Sequence, residues 1–138
     1  MADVEFIDLS GEIKADARGM SFFPWPPGRL REPGDLLRTF HLVSINPGQT
    51  RGNHLHPGYE EWLYVFHHPG VFIWEAAPGE VRERLITGGR TLIRIPAGIA
   101  HALRNPGPGV LYLVAWRQGA EAATAQPETV PRHLGLKD

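Results

Sequence analysis

The chain is punctuated too densely for a helical protein. Sixteen glycines and thirteen prolines fall among 138 residues, and they stand between short apolar runs rather than inside them. Proline fixes φ and removes a donor, and glycine costs a helix interior about 1 kcal/mol relative to alanine. Short runs of β-branched, aromatic and aliphatic residues bounded by such turns predict strands. Eight are expected, at 4–9, 37–46, 61–66, 71–75, 81–86, 91–95, 100–104 and 110–116, with no convincing amphipathic helix. This pattern implies a sandwich or a small barrel whose mouth can hold a ligand. Residues 81–86 alternate apolar with charged, as in a half-exposed edge strand.

The totals narrow the function. A formal charge of −1 gives no general attraction to nucleic acid or anionic membrane. Absence of cysteine excludes disulfides and thiolate metal sites. No basic-then-apolar leader is visible, and no apolar run approaches the ~20 residues that cross a bilayer. The expectation is a soluble cytoplasmic protein of one domain, 1–138, with a motif core at 48–105 and a flexible tail or short terminal helix over 118–138.

The chemistry concentrates in one stretch, Gly48 to Glu61. His54 and His56 are separated by one residue, so on an extended strand both face the same side. A carboxylate, Glu60 or Glu61, follows a Pro-Gly turn, and a third histidine, His101, lies far downstream. Imidazole and carboxylate suit a borderline divalent metal such as zinc, iron, nickel or manganese. We expect one such ion held by His54, His56, Glu61 and His101 inside the barrel. On the strand that Glu61 opens, Leu63 and Val65 share its inward face. Trp62, Tyr64 and Phe66 then point outward. Outward aromatics need cover from a second sheet or a subunit interface, so a homodimer is expected. The aromatics of 22–28 are expected to cap the barrel end or pack on a neighbouring subunit.

These residues resemble the two motifs of the cupins, a jelly-roll β-barrel superfamily. Gly48, His54, His56 and Glu61 match the first motif, with its closing glycine displaced to Gly70. Pro96-Ala97-Gly98, His101 and Asn105 match the second, with Gly89 one residue early. The family's Glu-x-x-Tyr-Val matches Glu61-Trp62-Leu63-Tyr64-Val65, which favours Glu61 over Glu60 as ligand. Asp16-x-Arg18-Gly19 and Pro47-Gly48-x-Thr50-Arg51-Gly52-Asn53-His54 further resemble cupins of bacterial surface-polysaccharide synthesis. These include sugar 3,4-ketoisomerases and the C-terminal cupin of a capsular epimerase. The complete ligand set sides with the metal-bearing branch.

What the resemblance implies is a nucleotide-sugar epimerase or isomerase that enolises its substrate next to a carbonyl. His41, Tyr59 and Glu60 are the candidate bases. Arg18, Arg51, Arg94 and Arg104 are candidate clamps for the substrate's diphosphate. A metal-dependent oxygenase or lyase on another small molecule is one alternative, and a non-catalytic metabolite-binding cupin is another.

Overall fold

Two antiparallel five-stranded sheets pack face to face in a computed structural model that describes residues 2–26, 28–87, 89–119, 122, 124 and 127–134. Pro27, Gly88 and much of the expected tail lie outside the described residues. The first sheet runs β1 (Glu5–Asp8), β9 (Thr91–Ile95), β6 (Glu60–Phe66), β11 (Leu111–Gln118) and β4 (His41–Ile45). The second runs β12 (Val130–Pro131), β5 (Thr50–Leu55), β10 (His101–Arg104), β7 (Gly70–Ala77) and β8 (Glu80–Ile86). β2 (Lys14–Asp16) and β3 (Gly19–Ser21) form a hairpin of their own, and α1 (Pro33–Thr39) is the one helix among the described residues. The sandwich or small barrel expected from the turn pattern is observed, in the jelly-roll form that the cupin resemblance implies. β8 is an edge strand with an exposed face, again as its alternation predicts.

Period-two alternation decides what lies inside. Leu63 and Val65 of β6 point between the sheets, into a core with Phe72, Trp74, Ile93 and Leu103. Trp62, Tyr64 and Phe66 point outward, and the chain covers them itself. Leu9, Phe22, Trp25 and Leu30 from the N-terminal segment, with Leu36 of α1, close over that face. Trp62 stacks on Trp116 with centroids 6.1 Å apart, and Trp25 meets Trp116 edge-on. Truncating a fully buried Trp costs roughly 3–5 kcal/mol, so this outer layer is structural. Phe22 and Trp25 therefore line a sheet face rather than cap the barrel end, while Phe23 is exposed. With that cover in place, the outward aromatics of β6 need no partner subunit.

Two further expectations change. Residues 37–46 are not one strand, because α1 occupies the first part. Pro33 sits in the first helical turn, where a missing N–H costs nothing, and Asp35 and Arg38 suit the helix ends they occupy. The Phe40 N–H bonds the Leu36 carbonyl at 2.9 Å and ends the helix. Packing of Leu36 under Trp116 selects helix over strand for a leucine pair that locally permits either. Asp35 in the first helical turn is buried. The described part of the tail is likewise built in. Val130 and Pro131 pair with Leu55 and His54, and Leu134 is buried against the second sheet's outer face.

One glycine permits the crossing at the site. Gly52 on β5 has φ +106°, and a Cβ there would lie 2.7 Å from the His101 carbonyl oxygen. The β5–β10 ladder slips between His101 and Ala102, which sets His101 opposite His54. Beyond β10, the Asn105 side chain donates to the Ile45 and Gly109 carbonyls, each at 2.8 Å, and pins the turn. We expect Gly52→Ala to destabilise the protein by about 2–4 kcal/mol, from strain at positive φ plus overpacking against backbone. Chemical denaturation measures this, and an unchanged midpoint would contradict the close approach.

Candidate metal centre

A cavity of about 530 Å³ opens between the sheets, within the usual range for small-molecule sites. Ile45, Leu63, Leu103 and Leu113 form an aliphatic wall, and His54, His56, Glu61 and His101 face it. One ligand atom from each of these four lies within 4.8 Å of all the others. They arrive from both sheets: His54 from β5, His56 just beyond it, Glu61 from β6 and His101 from β10. The four side chains expected to act together are thus brought together.

The hydrogen bonding around the rings fixes their chemistry. His101 Nδ1 lies 2.9 Å from the Ile99 carbonyl oxygen, which can only accept, so Nδ1 carries the proton. His101 Nε2 then lies 3.2 Å from Glu61 Oε1, a spacing that calls for either a proton on Nε2 or a cation beside the two atoms. His56 Nε2 is buried without a hydrogen-bond partner, 3.7 Å from Glu61 Oε2. On its other side His56 Nδ1 meets the Tyr59 hydroxyl at 2.7 Å and Thr129 Oγ1 at 3.2 Å. Orienting imidazoles through their outer nitrogens while the inner ones converge is the arrangement that favours a divalent cation. The residues present fit such an ion.

Electrostatics agree with this geometry. Burial pushes the His56 imidazole down to about 4, against the opposing pull of the Glu61 carboxylate. His54 is lowered as well, by burial first and then by the charge of His101. Burial works against ionisation of Glu61. The His101 hydrogen bond and the charges of the three imidazoles nevertheless outweigh it and hold its carboxyl at about 2.

The other candidates separate by strand face. Glu60 points opposite to Glu61, under the N-terminal cover, where it meets Arg31, Arg94 at 2.7 Å and the Trp62 indole N–H at 3.0 Å. Glu60 and Arg94 therefore form a buried structural pair outside the cavity. Arg104 follows Leu103 at the end of β10 and is not among the lining residues, and Arg18 is exposed and ion-paired to Asp16 at 2.6 Å. Neither lines the cavity. Tyr59 is stacked on His56, with centroids 4.5 Å apart, and orients that ring instead of facing the void. His41 and Arg51 do line it. The His41 Nδ1 lies 2.8 Å from the Thr39 carbonyl oxygen, which leaves Nε2 as the basic nitrogen. Two lining residues, Arg117 and Thr129, were not anticipated. Arg117 was legible in principle, since it alternates in step with Leu113 and Ala115 opposite the outward Trp116. Thr129 had no local signal, because only the fold-back of the C-terminal segment brings it in.

These shifts give a sign for pH dependence. His54 and His56 are depressed when folded, so between about pH 6.5 and pH 4 the unfolded chain takes up protons that the fold resists. Glu61, also depressed, loses its contribution as pH falls below about 4.5. Both effects act in one direction, so stability of the chelator-treated protein should fall steadily from pH 6.5 downward. Thermal melts across pH 7 to 4 test this, with a shallower fall expected for His56→Gln. A flat or rising melting temperature would contradict it.

No protein-family model matches the chain, and no curated protein sequence matches it. Solved structures do. A 3,4-ketoisomerase, QdtA from Thermoanaerobacterium thermosaccharolyticum, solved as a point mutant in complex with TDP-4-keto-6-deoxyglucose, superposes with a TM-score of 0.70 at 17% identity. That match covers 94% of this chain and 88% of QdtA. The dTDP-6-deoxy-D-glucose-3,5-epimerase RmlC from Legionella pneumophila gives 0.67 at 16% identity, over 85% of this chain and 67% of that one. CapF, a capsular polysaccharide assembling protein from Staphylococcus aureus, gives 0.60 at 24% identity over 88% of this chain, which spans only 32% of CapF. With its two-sheet topology and this likeness, the chain has the jelly-roll fold of the cupins.

Proposed function

We propose that this protein is a metal-binding nucleotide-sugar epimerase or isomerase that works by enolisation next to a carbonyl. The observation that carries the reading is the convergence of His54, His56, Glu61 and His101 on one wall of a cavity that His41 also lines. The sugar enters by analogy of fold, since the similar structures include a ketoisomerase holding a keto-sugar nucleotide and a 3,5-epimerase.

A divalent ion held by those four residues would supply Lewis-acid stabilisation of negative charge on a substrate oxygen. The remaining work belongs to the protein's own groups. His41 Nε2 accepts the proton from the carbon next to the carbonyl, leaving the electron pair delocalised onto oxygen, and returns it in the second half-reaction. Arg51 neutralises part of the diphosphate at the cavity opening. The aliphatic wall keeps water from the carbanionic intermediate. The reading takes the protein as a cytoplasmic homodimer, with Leu37, Leu42 and Tyr112, exposed near the edge strand β4, as the apolar surface offered to a second copy. Sedimentation at the monomer mass of 15.3 kDa would remove that part.

Elemental analysis should find about one divalent metal per chain, with much less in His101→Ala. The metal-replete protein should exchange deuterium from solvent into a dTDP-4-keto-sugar. His41→Gln should slow that exchange about 100-fold or more while leaving the metal content unchanged. Protein that stays metal-free after supplementation, or O₂ consumption without exchange, would sink the reading.

A further inference from the structure

Two arginines line the cavity, and neither ion-pairs with a carboxylate among the described residues. Most arginines elsewhere do, including Arg18, Arg94 and Arg132. Arg51 is exposed and spends its Nε–H on the Ser44 carbonyl at 3.0 Å. Arg117 is held differently. It continues the inward face of β11 beyond Ala115 and is the cross-strand partner of Glu61 on β6. Its Nε is buried with no hydrogen-bond partner, and its guanidinium lies 5.1 Å from the centroid of the Tyr59 ring. A donor left buried and unsatisfied is unfavourable, more so when it is charged. A cation so placed at the edge of a cavity is a site for an anion.

We infer that Arg117 binds a carboxylate carried on the substrate's own carbon skeleton, so that the substrate is an acidic sugar of the uronic-acid kind and not a neutral deoxy sugar. The inference rests on the sugar reading above and adds the substrate class. Position selects carboxylate over diphosphate. Arg117 is paired with the strand residue that bears the Glu61 carboxylate, so its anion lies at the reacting end of the cavity. A diphosphate there would put the nucleotide, and not the sugar ring, beside the four converging side chains. A planar guanidinium fork also matches a carboxylate bidentately, which ties the sugar's orientation to the site.

Titration calorimetry of the purified protein with D-glucuronate, D-glucose and dTDP tests this. Glucuronate should bind at least about tenfold tighter than glucose, as a charge-assisted bidentate pair allows. Arg117→Gln should abolish that preference, and Arg117→Lys, which keeps the charge and loses the fork, should retain part of it. Binding of dTDP should survive in both variants. Equal binding of the two sugars, or a preference that survives Arg117→Gln, overturns the inference. Loss of dTDP binding in Arg117→Gln also overturns it, by making Arg117 the phosphate clamp. If dTDP binds while glucuronate gains nothing, the acidic sugar falls and the nucleotide reading stands. If glucuronate is preferred and dTDP does not bind, the reverse holds, and binding of neither rejects both.

Discussion

One carboxylate largely withdrawn from water and surrounded by imidazoles is the interaction on which this structure turns. Glu61 has lost most of its water, a penalty that favours the neutral acid, yet the three histidines keep it ionised. His54 and His56 are themselves pushed toward neutrality by burial. Each group thus resists the state its neighbours demand. A cluster of this kind is costly to fold and has only a narrow set of uses, the foremost being to receive a cation. The hydroxyls of Tyr59 and Thr129 and the carbonyl of Ile99 hold the outer nitrogens of His56 and His101, so the inner ones cannot turn away to find water.

The rest of the fold makes that crowding possible. His54 and His101 face each other only because β5 and β10 approach closely, and that approach exists because Gly52 has no Cβ to collide with the His101 carbonyl. The sheets that carry the four residues are each backed by chain from outside. The N-terminal segment and α1 cover the Trp62–Trp116 layer, while the C-terminal segment seats Leu134 against Ile73 and Ala102. Arg132 and Glu75 tie that second cover down at 2.6 Å. The C-terminal cover also delivers Thr129 to His56, so stability and site geometry share one element.

Strands, turns and the shared face of His54 and His56 could be read from the order of residues alone, while Glu61 and His101 were joined to them through the resemblance to the cupin motifs. The strands, turns and shared face follow from local rules: proline and glycine end runs, alternation assigns faces, and a His-x-His pair on a strand projects one way. That order also held more than was read from it. The alternation that turns Glu61 inward turns Glu60 outward, and the one that buries Trp116 under the N-terminal cover sends Arg117 into the cavity. The remainder waited on the closed fold. Whether Leu36 and Leu37 join a helix depended on what Leu36 could pack beneath. Which cations stay available to a ligand depended on acids distant in the chain, since Glu60 neutralises Arg94 across 34 residues while the Arg117 Nε meets none. Alternation is a local property of the backbone, whereas charge pairing and cover are properties of the surfaces that meet once the sheets have closed.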